Sequence, residues 1–135
     1  MTGGLEMIVI DASVAVEILI RTPASVKFAE RVINDDVHVP HLIDVEVASA
    51  VRRLLQAGAV GVGVAQEAMA GLHDWPIIRH EHTALLPRIW ELRDSVSAHD
   101  AGYVALAEAL KVPLFTLDAK LSRAHGHSAK ITLLS

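Results

Sequence analysis

The sequence predicts an α/β fold, a three-layer sandwich in which helices flank a mostly parallel central sheet. Three observations carry this. Two apolar runs, at residues 7–10 and 113–117, are short and free of polar alternation, as expected of strands buried on both faces. Segments with helical apolar spacing separate the strand-like runs along the whole chain. No linker, internal repeat or low-complexity stretch interrupts the alternation, and 135 residues suit a single domain.

The elements follow in order. Residues 1–6 read as a flexible leader, and residues 7–135 as the domain. The first strand, over 7–10, ends at Asp11. A helix over 13–20 opens at Ser13, a favourable N-cap. A second helix is expected over 23–34, with Pro23 in its first turn and Val26, Ala29 and Ile33 on one face. A short strand over 37–39 is closed by Pro40. The long helix over 43–57 carries an apolar stripe of Val47, Ala50, Val51, Leu54 and Leu55, and Gly58 can cap its end. A helix over 62–72 is weakened by Gly61, Gly63 and Gly71. Ile77 and Ile78 mark a strand. A helix over 83–93 must take Pro87 in its first turn or kink there. A strong helix over 97–110, the strand over 113–117, a short helix over 118–125 and a strand over 131–133 complete the chain.

Composition narrows the function. The chain has 12 Lys plus Arg against 16 Asp plus Glu, so a broad basic sheath for coating nucleic acid is absent. It has no Cys, which removes disulfides, thiolate catalysis and Cys-ligated zinc, and fits a reducing, cytoplasmic compartment. The longest stretch without Asp, Glu, Lys or Arg, residues 54–66, is 13 long. A bilayer span needs roughly 20 residues, so no membrane association is expected. Mean hydropathy is +0.39 with few aromatic residues, and part of that aliphatic excess is expected at an interface with a second copy or another protein.

Four acids stand out by context. Asp11 and Asp118 each follow a buried strand, and ligands of open α/β sheets bind beyond the carboxyl ends of strands. Asp100 lies in the first turn of a strong helix, and Glu46 lies one turn into another. Each also has a local role to play: Asp118 as an N-cap, Asp100 in a capping box with Ser97, Asp11 as a turn residue before Ser13. Asp44 competes with Glu46, since residues two apart point to nearly opposite sides of a helix and spacing does not choose between them. Asp94, with no strand behind it, reads as solvated. Gathered carboxylates repel by about 4 kcal/mol per pair at 4 Å and an effective dielectric near 20. Protons or a metal must offset that. Oxygen ligands select a hard cation such as Mg²⁺ or Mn²⁺, which polarises a phosphoryl oxygen and activates water. Setting the four acids aside leaves 12 acids against 12 Lys plus Arg, so the charge balance does not oppose an RNA substrate. Arg52, Arg53, Lys120 and Arg123 are the nearest candidates for RNA phosphates.

These residues carry a family resemblance. The pieces Met7-Ile-Val-Ile-Asp11-Ala-Ser13, Pro40-His-Leu42-Ile-Asp-Val-Glu46, Ala98-His-Asp100-Ala-Gly-Tyr103-Val-Ala-Leu106-Ala-Glu108 and Leu114-Phe-Thr116-Leu-Asp118-Ala-Lys-Leu121 occur in that order across nearly the whole chain. Together they resemble PIN-domain ribonucleases of the VapC toxin type, from bacterial toxin–antitoxin pairs. The resemblance implies a PIN-like parallel-sheet fold and a metal-dependent endoribonuclease. It places Asp11, Glu46, Asp100 and Asp118 around one or two Mg²⁺ or Mn²⁺ ions, so choosing Glu46 over Asp44. It puts Ser13 and Thr116 at supporting hydroxyl positions, and it implies a homodimer and a cognate antitoxin.

The rivals are weaker. His80-Glu-His82 and His125-Gly-His127 lack the spacing of a zinc hydrolase, and no P-loop, dinucleotide fingerprint or Gly-x-Ser-x-Gly elbow occurs. A receiver domain needs an acid pair after the first strand, where Asp11 stands alone. The alternative that remains is a PIN-like module that binds RNA or protein without cleaving it, and metal-dependent turnover discriminates the two.

Overall fold

The structure, a computed structural model, describes residues 6–135. Five strands form one all-parallel sheet, in the order β3-β2-β1-β4-β5: β1 (Met7–Ile10), β2 (Asp36–Pro40), β3 (Ile78–His80), β4 (Leu114–Thr116) and β5 (Ile131–Leu133). Among the described residues seven α-helices flank it: α1 (Ala12–Leu19), α2 (Ala29–Asn34), α3 (Ile43–Gln56), α4 (Val62–Asp74), α5 (Leu86–Glu91), α6 (Ala98–Leu110) and α7 (Ala119–Ser122). The sandwich expected from the strand–helix alternation is therefore present. Ile8, Val9 and Ile10 of β1 and Leu114 and Phe115 of β4 are buried, as strands covered on both faces must be. Helices α1, α3 and α4 pack on one another, while α6 lies across β1, β2 and β4 with α5 against it.

The order of winding positions the site. From β1 the chain moves outward through β2 to β3, then returns to the other flank of β1 for β4 and β5. The carboxyl ends of β1 and β4 therefore lie side by side where the strand order reverses, with Val9 opposite Leu114 and Ile10 opposite Phe115.

Several elements differ from expectation. Asp11, not Ser13, caps α1: its carboxylate accepts the Val14 N–H, and the helix begins at Ala12. The helix expected over 23–34 is two pieces. Pro23–Lys27 is a 3-10 turn, capped by Thr22 on the Ser25 N–H, and Phe28, with φ −132°, breaks the chain away before α2. A 3-10 turn advances three residues per turn, so the buried face becomes Ser25, Phe28 and Val32, while Val26 is 77% and Ile33 56% exposed. The expected helix over 83–93 divides likewise, into a 3-10 turn at Thr83–Leu85 and α5, whose first turn takes Pro87. Helix α4 forms despite its glycines and reaches Asp74, because Ala65, Ala68 and Leu72 are buried and Gly71 lets it approach α1, with Leu19 Cδ2 at 3.2 Å from the Cβ position. Strand β3 begins at Ile78, one residue later than expected, and α7 stops at Ser122. Within the α3 stripe, Leu55 is exposed. The expected leader lies, but for Glu6, outside the described residues, and the Glu6 carbonyl accepts the Asp36 N–H at 2.7 Å.

Candidate active site

The buried centre is Asp11. Its Oδ1 accepts the Ser13 hydroxyl at 2.5 Å and the Val14 N–H at 3.2 Å, and its Oδ2 accepts the Thr116 hydroxyl at 2.5 Å. The same two hydroxyls reach across the strand ends. Ser13 Oγ accepts the Leu117 N–H at 3.1 Å, and Thr116 Oγ1 accepts the Asp118 N–H at 3.0 Å. The turns after β1 and β4 are thus stitched together through the side chains of Ser13 and Thr116. Asp118 caps α7 by accepting the Lys120 N–H at 2.9 Å, the local role open to it from sequence.

Glu46 and Asp100 arrive from helices. Asp100 sits in the first turn of α6, where the Ser97 hydroxyl accepts its N–H at 3.2 Å. Glu46 sits in the first turn of α3, and its Oε1 accepts the Tyr103 hydroxyl at 2.5 Å. Gly102 eases this meeting: a Cβ there would stand 2.8 Å from Leu42 Cδ2, so the Leu42 side chain at the start of α3 would have to shift.

The acids oppose one another's ionisation. Burial pushes the Asp11 carboxyl above its ordinary range, against the hydrogen bonds from Ser13, Thr116 and Val14, and Asp100 adds to the rise. Burial also raises Glu46, which Asp100 and Asp11 raise further while Tyr103 and His99 work the other way. Asp100 is raised by burial and then by Asp118. The four carboxylates expected from sequence are therefore electrostatic neighbours. Asp44 is not among them. It forms a two-point ion pair with Arg79, with Nε to Oδ2 at 2.8 Å and Nη2 to Oδ1 at 2.9 Å, and Arg79 also donates to the Leu72 carbonyl.

Two clefts open beside the acids. One, of about 800 Å³, is lined by Arg93, Asp94, Asp100, Asp118, Lys120 and Arg123. The other, of about 530 Å³, is lined by Glu46, Ser49, Arg53, His82 and His99 among others. Of the four cations expected near RNA, Lys120 and Arg123 line the first and Arg53 the second, while Arg52 lines neither. Asp94 is exposed, as expected, but it stands at the wall of the first cleft.

The donor set is all oxygen and over-rich in negative charge, which suits a hard divalent cation. Its spacing is not that of a closed shell: among the described residues no three His, Asp or Glu side chains converge enough to hold an ion. The side chains must turn toward a cation to bind it.

Tyr103 and His99 are the contributors that spacing alone did not single out. Tyr103 lies three residues after Asp100, hence on the same helix face. A buried tyrosine also needs a partner for its hydroxyl; the spacing was available from sequence, the burial only from the fold.

Comparison with known proteins identifies the family. The family model described as "PIN domain" matches residues 8–126. Ribonuclease VapC12 of Mycobacterium tuberculosis is 37% identical over 129 residues, covering 96% of this chain and 100% of that protein. Ribonuclease VapC9 of the same species is 38% identical over 128 residues, covering 95% of this chain and 98% of its own. Among solved structures, that of VapBC2 from Rickettsia felis, bound to a DNA fragment from their promoter, superposes with a TM-score of 0.69, covering 96% of this chain and 99% of its own. At 12% identity it speaks for the fold alone. By family model, sequence identity and full-length coverage, the chain belongs to the PIN domain family, among the VapC ribonucleases.

Proposed function

We propose that this chain is a metal-dependent endoribonuclease that hydrolyses RNA phosphodiester bonds, and the toxin of a toxin–antitoxin pair. The observation that carries the reading is that Asp11, Glu46, Asp100 and Asp118 are electrostatic neighbours near the ends of β1 and β4, with the first three held above their ordinary pKa. The relatives named as ribonucleases support it.

In this reading Asp11, Glu46, Asp100 and Asp118 hold one or two Mg²⁺ or Mn²⁺ ions. Such an ion, when bound, polarises a phosphoryl oxygen and eases deprotonation of water. The chain's own residues do the rest. Ser13 and Thr116 fix the Asp11 carboxylate by donating to its two oxygens. Tyr103 holds Glu46. Lys120 and Arg123 on one side, and Arg53 on the other, offer positive charge to the phosphates that flank the scissile one. Arg52 contributes only long-range attraction.

Residues 7–135 act as one domain in this proposal. Its partners are RNA, a cognate antitoxin and a second copy of the chain. The exposed apolar side chains Val26, Ile33, Val62 and Val64 are surface that such partners would cover, and Ile33 and Val64 line a groove of about 370 Å³ between α1 and α4. No helix of the described residues is long and apolar enough to cross a membrane.

The test pairs calorimetry with cleavage. Wild-type protein should bind Mn²⁺ saturably and cut single-stranded RNA in its presence. Asp100→Asn should lose both while remaining folded. Cleavage by that variant at the wild-type rate would remove Asp100 from the mechanism. A folded wild-type protein that binds RNA but neither takes up metal nor cuts would be a binding module instead.

A further inference from the structure

We propose that Trp90 and Arg93 form a platform on which a base of the RNA substrate stacks, at the rim of the cleft that holds Asp100 and Asp118. The proposal deepens the ribonuclease reading and rests on it.

Trp90 is 68% exposed on α5. At that exposure the indole is accessible to a further flat group. The Arg93 guanidinium lies over the ring, 4.8 Å from its centroid, and its Nη1 donates to the Trp90 carbonyl at 3.0 Å. Arg93 is therefore pinned between two tasks, since it also lines the cleft with Asp100, Asp118, Lys120 and Arg123. A flat cation seated over an indole makes a platform that a third flat ring can extend. Unpaired RNA bases are taken up in this way, on aromatic rings and on guanidinium planes.

The surroundings favour a nucleotide as that third ring. A nucleotide carries a base and a phosphate on one sugar. The rim offers matching groups for both, the Trp90–Arg93 pair for the base and Lys120 and Arg123 for the phosphate. Stacking of this kind is tolerant of sequence, so it would grip a strand near the acids without dictating which base is there. A second copy of the chain is the competing occupant, because Leu86, one turn earlier on α5, is also exposed. Charged residues are depleted from the cores of protein interfaces, and Arg93, Asp94, Asp100, Asp118, Lys120 and Arg123 all line this cleft.

The experiment uses the full chain carrying Asp100→Asn, so that RNA is held and not cut, and a fluorescein-labelled mixed-sequence single-stranded RNA oligonucleotide as the probe. Adding Trp90→Ala should weaken binding by about fivefold to a hundredfold, the range for loss of one stacked base. Adding Trp90→Phe, which keeps a ring, should restore most of it. RNA should quench the intrinsic fluorescence of the protein, and the Trp90→Phe change should abolish that quenching. In the cleaving enzyme, Trp90→Ala should raise KM more than it lowers kcat. Unchanged affinity in Trp90→Ala overturns the platform. So does a loss of affinity that comes with a change in oligomeric mass by light scattering, which would make Trp90 an interface residue. Cleavage by wild type with an unaltered KM in Trp90→Ala refutes the platform and leaves the ribonuclease. Quenching and binding without any cleavage refutes the ribonuclease and leaves the platform.

Discussion

Replacing Tyr103 with Phe removes one oxygen and tests the link between the core and the acids. The ring is buried and stays in place, so no cavity opens. What disappears is the 2.5 Å hydrogen bond from the phenol to Glu46 Oε1. A hydrogen bond to a charged group contributes about 1.5–3 kcal/mol. Glu46 is half-exposed, and water can take over part of the lost contact, so the lower end applies, about 1.5 kcal/mol. The loss depends on pH. Tyr103 favours the charged form of Glu46, while burial, the larger effect, holds its carboxyl above 4.5. The charge-assisted part of the bond is therefore present at pH 7 and fades as pH falls through that raised value. The assay is urea unfolding of both proteins in EDTA, at pH 7 and again near pH 4. The difference should be about 1.5 kcal/mol at neutral pH and about 0.5–1 kcal/mol in acid, where a neutral bond remains. In cleavage, the acid limb of the pH–rate profile should move to higher pH. A Tyr103→Phe protein with the same stability difference at both pH values, or none, would refute the claim that the phenol supports an ionised Glu46.

Other outcomes follow from the same contacts. Asp44→Asn should cost about 1 kcal/mol by breaking the partly exposed Arg79 pair, yet leave Mn²⁺ binding intact, whereas Glu46→Gln should weaken the metal without that loss. Asp100→Asn should raise the melting temperature while abolishing cleavage, because it removes a charge that Asp118 opposes; a lower melting temperature would contradict the repulsion. Gly102→Ala should forfeit the gain of about 1 kcal/mol that Ala brings to a helix, since its Cβ meets Leu42 at 2.8 Å, and cleavage should fall as α3 shifts. Full activity with added stability would show the approach to be slack. Arg88 holds Glu108 down to about 2 from 4.5, so that pair's stabilisation is complete above about pH 4.5 and is lost as pH falls toward 2. Unfolding midpoints across that window should drop in wild type and flatten in Glu108→Gln.

The strand ends were legible because parallel strands declare themselves as short apolar runs, and an acid, Asp11 or Asp118, could be placed just beyond each, although both acids also cap the helix that follows. The capping of α1 was misassigned because Asp11 and Ser13 are both good caps two residues apart, and the choice depends on Thr116, a distant residue that turns the Asp11 side chain inward. The 23–34 segment misled because Phe28 satisfies helical spacing while its backbone does not, a break set by the Thr22–Ser25 turn. Glu46 could not be told from Asp44 by spacing, since the partners that separate them, Tyr103 and Arg79, lie 57 and 35 positions away. The glycines of α4 counted against a helix that tertiary packing stabilises anyway.

The Thr116–Asp11 bridge spans 105 positions. At a synthesis rate of about 5–20 residues per second, Asp11 is joined to the chain roughly 5–20 s before Thr116. Through that interval β1 lacks its β4 neighbour, and the Asp11 carboxylate lacks the donor that orients it. Fragments ending before β4 carry three of the four acids and no assembled centre. On the proposed mechanism such a fragment should not cleave RNA, since it lacks both Asp118 and the hydroxyl that orients Asp11.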